Sequence, residues 1–196
     1  MKVIEKIVGA HLSGFEWLNF NYLPDSDGFK FEIYSKKNNA DIISHTIYIF
    51  FTLFRDVKND IIVKNFGEGS WGDFCIDTWD FENNLYDYSP DNKEEPTASY
   101  LTMLNNCEIS PNYSGFCKCT DWARFLYITL NCIVSRKAPY SMMFYVPNHK
   151  FVFYFHHTGS FGVYYKDLDN FIIDLINAIK QENLEIKNST DKRIIL

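Results

Sequence analysis

The strongest constraint on the fold lies in residues 140–179, where short, nearly continuous apolar runs give way to a repeat of about 3.6. "YSMMFYV" (140–146), "KFVFYFHH" (150–157) and "FGVYYK" (161–166) are three short, ring-rich runs, each of a length suited to a strand. "TGS" (158–160) separates the last two and offers the glycine that a tight hairpin favours. Helical spacing follows at once. Leu168, Phe171, Ile172, Leu175, Ile176 and Ile179 form one stripe, Asp169, Asp174, Asn177 and Lys180 face water, and Asp167 is the expected cap. A helix is expected to precede the strands, from about Asp121 to Val134, ended by "SRKAP". Helix, three strands and helix predict an α+β fold, a mixed or antiparallel sheet packed against helices as a single layer pair.

Upstream the signals are more local. "GFEWLNFNYL" (14–23) alternates loosely, "PDSDG" (24–28) marks a turn, and "FKFEIYS" (29–35) alternates as a half-buried strand, with Phe29, Phe31 and Ile33 on one face. Residues 38–59 are expected to be helical, with Asn39 or Asp41 as cap and Ile43, Ile47, Phe50, Phe51 and Phe54 inward. "DIIVKNF" (60–66) reads as a short strand, "DFCIDTWDF" (73–81) as another, "YDYSPDNKEEP" (86–96) as a loop, and 97–107 as a short helix with Tyr100, Leu101 and Leu104 inside. No repeat, low-complexity tract or linker interrupts the chain, so one globular domain spanning 1–196 is expected.

Composition narrows the function classes. With 25 acidic against 19 basic side chains the net charge is −6, which lacks the basic footprint of a nucleic-acid binder and favours a basic partner. Five cysteines, odd in number and unevenly spaced, imply no disulfide framework and point to a reducing, cytoplasmic setting. Glu5 and Lys6 interrupt what would be the apolar core of a signal peptide, and the longest greasy run, "TIYIFFTLF" (46–54), is far shorter than the ~20 residues of a membrane span. "GEGSWG" (67–72) lacks the lysine of a phosphate loop. Cys117 and Cys119 form a single C-x-C, and adjacent His156 and His157 point to opposite faces of a strand, so neither cofactor nor metal is expected.

Two constellations could carry function. "CTDWARFLYITL" places Cys119 before a helix, where the exposed N–H groups favour a thiolate. This segment resembles that of transglutaminase-like cysteine enzymes, in which a histidine at the start of a later strand is the base and an aspartate on the next strand orients it. His149 in "NHKFVFYF" and Asp167 in "GVYYKD" fall in that order, and the resemblance spans about 115–167. The sequence departs from the pattern two residues before the thiol, where Cys117 replaces glycine. It implies a hydrolase or acyl-transferase; the competing interpretation is that Cys119 packs and Asp167 caps.

The second constellation lies between Glu68 and Pro96, where Trp71, Phe74, Trp79, Phe81, Tyr86 and Tyr88 are threaded among Asp and Glu with Lys93 as the only base. Rings are costly to leave in water and carboxylates resist burial, so the expected result is an outward patch of aromatic anchors ringed by acid. The residues selected are Asp73, Asp77, Trp79, Asp80, Glu82, Tyr86 and Asp87. A nuclease active site is one matching target, because it must be basic to hold phosphates. In overall style, an acidic α+β chain rich in Phe, Tyr and Asn ending in "FVFYFHHTGSFGVYYKDLDNFIIDLINAI", the sequence resembles bacterial immunity proteins that neutralise polymorphic or contact-dependent inhibition toxins. That resemblance implies stoichiometric binding of one cognate toxin in the cytoplasm, with no catalysis. Of the two, the binding role is the one expected.

Overall fold

Aspartate side chains start three of the four long helices. In the computed structural model, which describes residues 2–9, 13–35 and 41–194, Asp41, Asp121 and Asp169 each accept a backbone N–H from three residues on, Ser44, Arg124 and Ile172 respectively. In chain order the elements are β1 (Ile4–Lys6), β2 (Phe29–Ser35), α1 (Ile42–Leu53), β3 (Ile62–Lys64), β4 (Trp79–Asp80), β5 (Leu85–Tyr86) and α2 (Glu95–Asn106). There follow β6 (Cys117–Cys119), α3 (Trp122–Val134), β7 (Met143–Val146), β8 (Phe151–Phe155), β9 (Phe161–Tyr165), α4 (Asn170–Gln181) and β10 (Leu184–Lys187). Strand pairings within each unit are antiparallel, and the fold is α+β, as the pattern of residues 121–179 predicts.

The chain divides into two compact units, one built of Met1–Ala10 and Ile62–Met143, the other of His11–Ile61 and Phe144–Leu196. In the first, strands run in the order β1-β6-β3, with Ile4 opposite Cys119 and Val63 opposite Cys117. Its core gathers Trp71, Phe74, Tyr100 and Phe125, with Phe74 and Tyr100 ring centroids 4.8 Å apart. Polar atoms of these rings are satisfied: Trp71 donates Nε1–H to the Gly115 carbonyl at 2.9 Å, and Tyr100 donates its hydroxyl to the Trp71 carbonyl at 2.7 Å.

The second unit carries the order β7-β8-β9-β2-β10. Phe31 faces Val163, and Val163 faces Phe153, so the aromatic positions of three strands share one side of the sheet. Helix α1 covers this side, its Phe54 ring stacked on Phe153 at 4.3 Å, and α4 adds Phe171 against Phe151 at 5.3 Å. On the other side Phe15 meets Tyr145 edge-on at 5.4 Å. Gly162 is there because Tyr154 is: any Cβ at 162 would overlap the Tyr154 ring.

Several local expectations need correction. Asp167 does not cap α4; Asp169 does, and Leu168 precedes the helix. Asn39 lies outside the described residues, and Asp41 is the cap. Helix α1 is rotated relative to the expected face, burying Thr46, Ile49, Phe50 and Leu53 while Ile43 and Ile47 are only half-buried. Thr46 tolerates burial because its hydroxyl bonds the Ile42 carbonyl at 2.7 Å. "DFCIDTWDF" is not one strand but two 3₁₀ turns, Trp71–Phe74 and Ile76–Thr78, followed by β4. No strand forms in 14–23, and α2 starts at Glu95, inside the expected loop.

Candidate protein-binding site

Ser70 opens the site by starting a 3₁₀ turn whose backbone N–H and hydroxyl both reach Asp73 Oδ2, at 3.0 and 2.8 Å. The turn sends Trp71 and Phe74 inward, where both are fully buried. These two rings are therefore core, not part of an outward patch, which corrects the expectation for them. Asp77 comes next and also faces the body of its unit. It accepts the Thr97 hydroxyl at 2.7 Å and lies 3.6 Å from Lys137, which also holds Glu94 at 2.6 Å.

Beyond Thr78 the chain projects as a hairpin. Trp79 pairs with Tyr86 and Asp80 with Leu85, leaving Phe81, Glu82, Asn83 and Asn84 as the loop. Asp80 closes that loop: Oδ1 accepts the N–H groups of Glu82 and Asn83 at 2.9 and 3.1 Å, and Oδ2 accepts the Asn83 amide at 2.8 Å. The Asn83 amide and the loop N–H groups hold the Asp80 carboxyl below its ordinary range. Asn84 takes the left-handed conformation, φ 54°, that asparagine tolerates at a loop end.

The ribbon has two chemically different faces because strand side chains alternate. One face is a row of rings. Trp79 meets Tyr86 edge-on at 4.8 Å and Phe81 edge-on at 6.4 Å, and Tyr86 stacks on Tyr88 at 5.6 Å with planes 9° apart. The other face carries Asp80, Leu85 and Asp87. Exposure rises towards the tip: Tyr88 is half-buried, Tyr86 is 49% exposed, Leu85 50% and Phe81 85%.

Tyr88 roots the row. Its ring lies against Gly72, where a Cβ would fall 2.5 Å from the Tyr88 ring and 2.8 Å from Pro111. Its hydroxyl donates to Asp73 Oδ1 at 3.3 Å, and burial together with the Asp73 charge pushes the phenol up to about 12. Asp87, at the exit from β5, accepts the Ser89 N–H at 2.9 Å and pairs with Lys93 at 3.1 Å, two contacts that hold its carboxyl low. Of the seven residues selected from sequence, Trp79, Asp80, Glu82, Tyr86 and Asp87 sit on or beside the hairpin, while Asp73 and Asp77 brace its base. The seven do not include Phe81 and Leu85, the most open apolar residues of the ribbon. The signal for them is the alternation "WDF…LYDY" on either side of "ENN".

The thiol–imidazole constellation is built differently. Cys119 ends strand β6 and does not lie at a helix start, since α3 begins at Trp122. Its thiol is buried beside the Val3 carbonyl at 3.6 Å, and burial pushes it well above the ordinary thiol value; Cys117 is pushed up to about 12 for the same reason. All five cysteines are buried and unpaired with one another as disulfides. His149 takes Asp169, its Nδ1 lying 3.0 Å from Asp169 Oδ2, and stacks on Phe171 at 4.3 Å. Asp167 pairs with Lys150 at 3.3 Å. The acid beside the imidazole is thus the helix cap and not Asp167.

Among the described residues no group of three His, Cys, Asp or Glu side chains is placed to hold a metal ion, and no helix is long and apolar enough to cross a membrane. Comparison with protein-family models, with curated proteins and with solved structures finds no match to this chain.

Proposed function

We propose that this chain is an immunity-type protein of the bacterial cytoplasm that neutralises one cognate basic toxin by stoichiometric binding, without catalysis or cofactor. The observation that carries this reading is the Trp79–Tyr88 hairpin, which holds Phe81, Leu85 and Tyr86 in water on a ribbon braced by rings at its root. Exposed rings fixed by neighbouring rings lose little conformational entropy on docking, which is the property of interface anchors. The surrounding carboxylates and the net charge of −6 favour a positively charged partner and speed its encounter. A nuclease toxin fits this description, since its substrate site must be cationic.

The hydrolase reading has less support, because a buried thiol held above its ordinary value is a poor nucleophile. The test of the binding reading is direct. The product of the reading frame immediately upstream is purified in a catalytically inactivated form and titrated with this protein. A 1:1 complex is expected, weakened at least tenfold by the double substitution Phe81→Ala and Tyr86→Ala. A neighbour that is not toxic to cells lacking this protein, or affinity untouched by the double substitution, would refute it.

A further inference from the structure

We propose that the first unit carries a binding site for a small organic monocarboxylate with an apolar body, in the cleft where Lys2 and Val3 run past the ends of α2 and α3. The hairpin takes no part in it. The cleft has a volume of about 360 Å³ and is lined by Lys2, Val3, Met103, Asn106, Cys107 and Arg124. That volume falls at the lower end of the roughly 300–1,000 Å³ typical of small-molecule sites.

Main-chain bonds fix the walls. The Val3 carbonyl accepts the N–H groups of Thr120 and Asp121 at 2.9 and 3.2 Å, and the Thr120 hydroxyl donates to the Lys2 carbonyl at 2.6 Å. On the other side the Val3 N–H donates to Cys107 Sγ at 3.2 Å. The segment before β1 is thereby tied to the start of α3 and to the end of α2. The cleft is formed before a ligand arrives, and little ordering is left for binding to oppose.

Its chemistry changes with depth. Val3, Met103 and Cys107 are buried and make an apolar, sulfur-rich floor, whereas Lys2, Asn106 and Arg124 are exposed at the mouth. A ligand that matches is apolar at one end and polar at the other. The polar end is chosen by the donors that remain uncommitted. Lys2 is held by Glu108 at 2.6 Å, Glu5 stands opposite Lys118 across β1 and β6, and Asp121 turns its carboxylate to the Arg124 backbone N–H at 3.1 Å. Among the described residues the Arg124 guanidinium has no hydrogen bond, ion pair or ring partner, and neither has the Asn106 amide. With each base matched by an acid, the mouth has no surplus charge to hold a phosphate dianion. What it has is one open planar fork of N–H donors, which a carboxylate fills with two parallel hydrogen bonds.

The experiment titrates the intact, isotope-labelled chain with hexanoate, 4-phenylbutyrate and indole-3-propionate, each beside its neutral amide, and follows the spectrum by NMR. At least one acid is expected to shift the Val3 and Met103 methyl signals and the Cys107 amide saturably, and to bind at least tenfold more tightly than its amide. Arg124→Gln, at an exposed position, should abolish that tenfold preference. Asn106→Trp, also exposed, should block the mouth and remove the shifts with either form of Arg124 in place. No saturable shift with any of the three acids at about 10 mM, where a site of even millimolar affinity is mostly filled, overturns the proposal. So does an acid that binds no better than its amide, or one whose affinity Arg124→Gln leaves unchanged. Shifts that persist in Asn106→Trp place the acid elsewhere and overturn it too.

Discussion

Trp71 and Phe81 stand ten positions apart in sequence and at opposite extremes of exposure, 0% and 85%. Replacing Trp71 by alanine removes a buried indole and orphans the Gly115 carbonyl, so a loss of about 3–5 kcal/mol in unfolding free energy is expected. Phe81→Ala should change stability by less than about 0.5 kcal/mol, because most of the ring already stands in water. Urea denaturation of both variants checks the contrast. Cys119 gives a second expectation at this scale: with its thiol buried and pushed up, iodoacetamide should modify it no faster than Cys75 or Cys132 in the native protein, and all should react quickly in urea. Rapid selective alkylation of Cys119, read by mass spectrometry, would contradict the packing role. A third concerns Asp191, which is buried, accepts the Tyr165 hydroxyl at 2.8 Å and is chelated by Arg193. The Arg193 hydrogen bonds lower its carboxyl to about 2, below the 3.8 of a free aspartate. Its contribution to stability is therefore complete above about pH 4 and disappears as pH falls through 2. Asp191→Asn should lower the melting temperature at pH 6, with the two melting curves converging towards pH 2. These fates were only partly legible in the sequence. Which of several rings in an acidic stretch turns inward depends on partners such as Tyr100 and Gly115, far away along the chain, and residue type carries no record of them.

Elements were more legible than residues where a single period persisted. Helix α4 and strand β2 follow their apolar patterns because each packs one stripe against one surface, while β8 and β9 are readable as nearly continuous apolar runs because both of their faces are buried. Helix α1 shows the limit. It is rich in apolar side chains all round, so its period does not single out a face, and the burial of Thr46 is decided by a local hydroxyl bond. The stretch 73–81 forms no single strand despite its alternation, because apolar and polar residues also alternate in consecutive 3₁₀ turns, where threefold repeats and the cap at Ser70 set the direction. The hairpin that follows depends on its seat. Gly72→Ala should push Tyr88 off that seat, since the added methyl meets both the ring and Pro111. The expected result is faster amide exchange at Tyr86 and Asp87 and weaker partner binding, with the exchange of α3 unchanged. Uniform loosening of the whole unit would instead make Gly72 a core residue with no special link to the ribbon.

At the scale of the molecule, the formal charge of −6 sets how a partner arrives. Association with a cationic partner should slow about tenfold between roughly 50 mM and 0.5 M salt, where the screening length shrinks to a few ångströms, while dissociation changes little. Stopped-flow mixing at several salt concentrations separates the two rates. The α+β class was readable from the last third of the chain, but the division into two units was not. Each unit is assembled from two separated segments, and short-range patterns carry no information on which segments join. That interleaving shapes how the chain can be made. Strand β2 pairs Phe31 with Val163 and Ile33 with Ile186, so at roughly 5–20 residues per second it waits on the order of 10 s after leaving the ribosome for its neighbours to be synthesised. Throughout that interval a β-prone, aromatic edge stands open to other nascent chains. That vulnerability to pairing with another copy ends when β9 and β10 take their places on either side of β2.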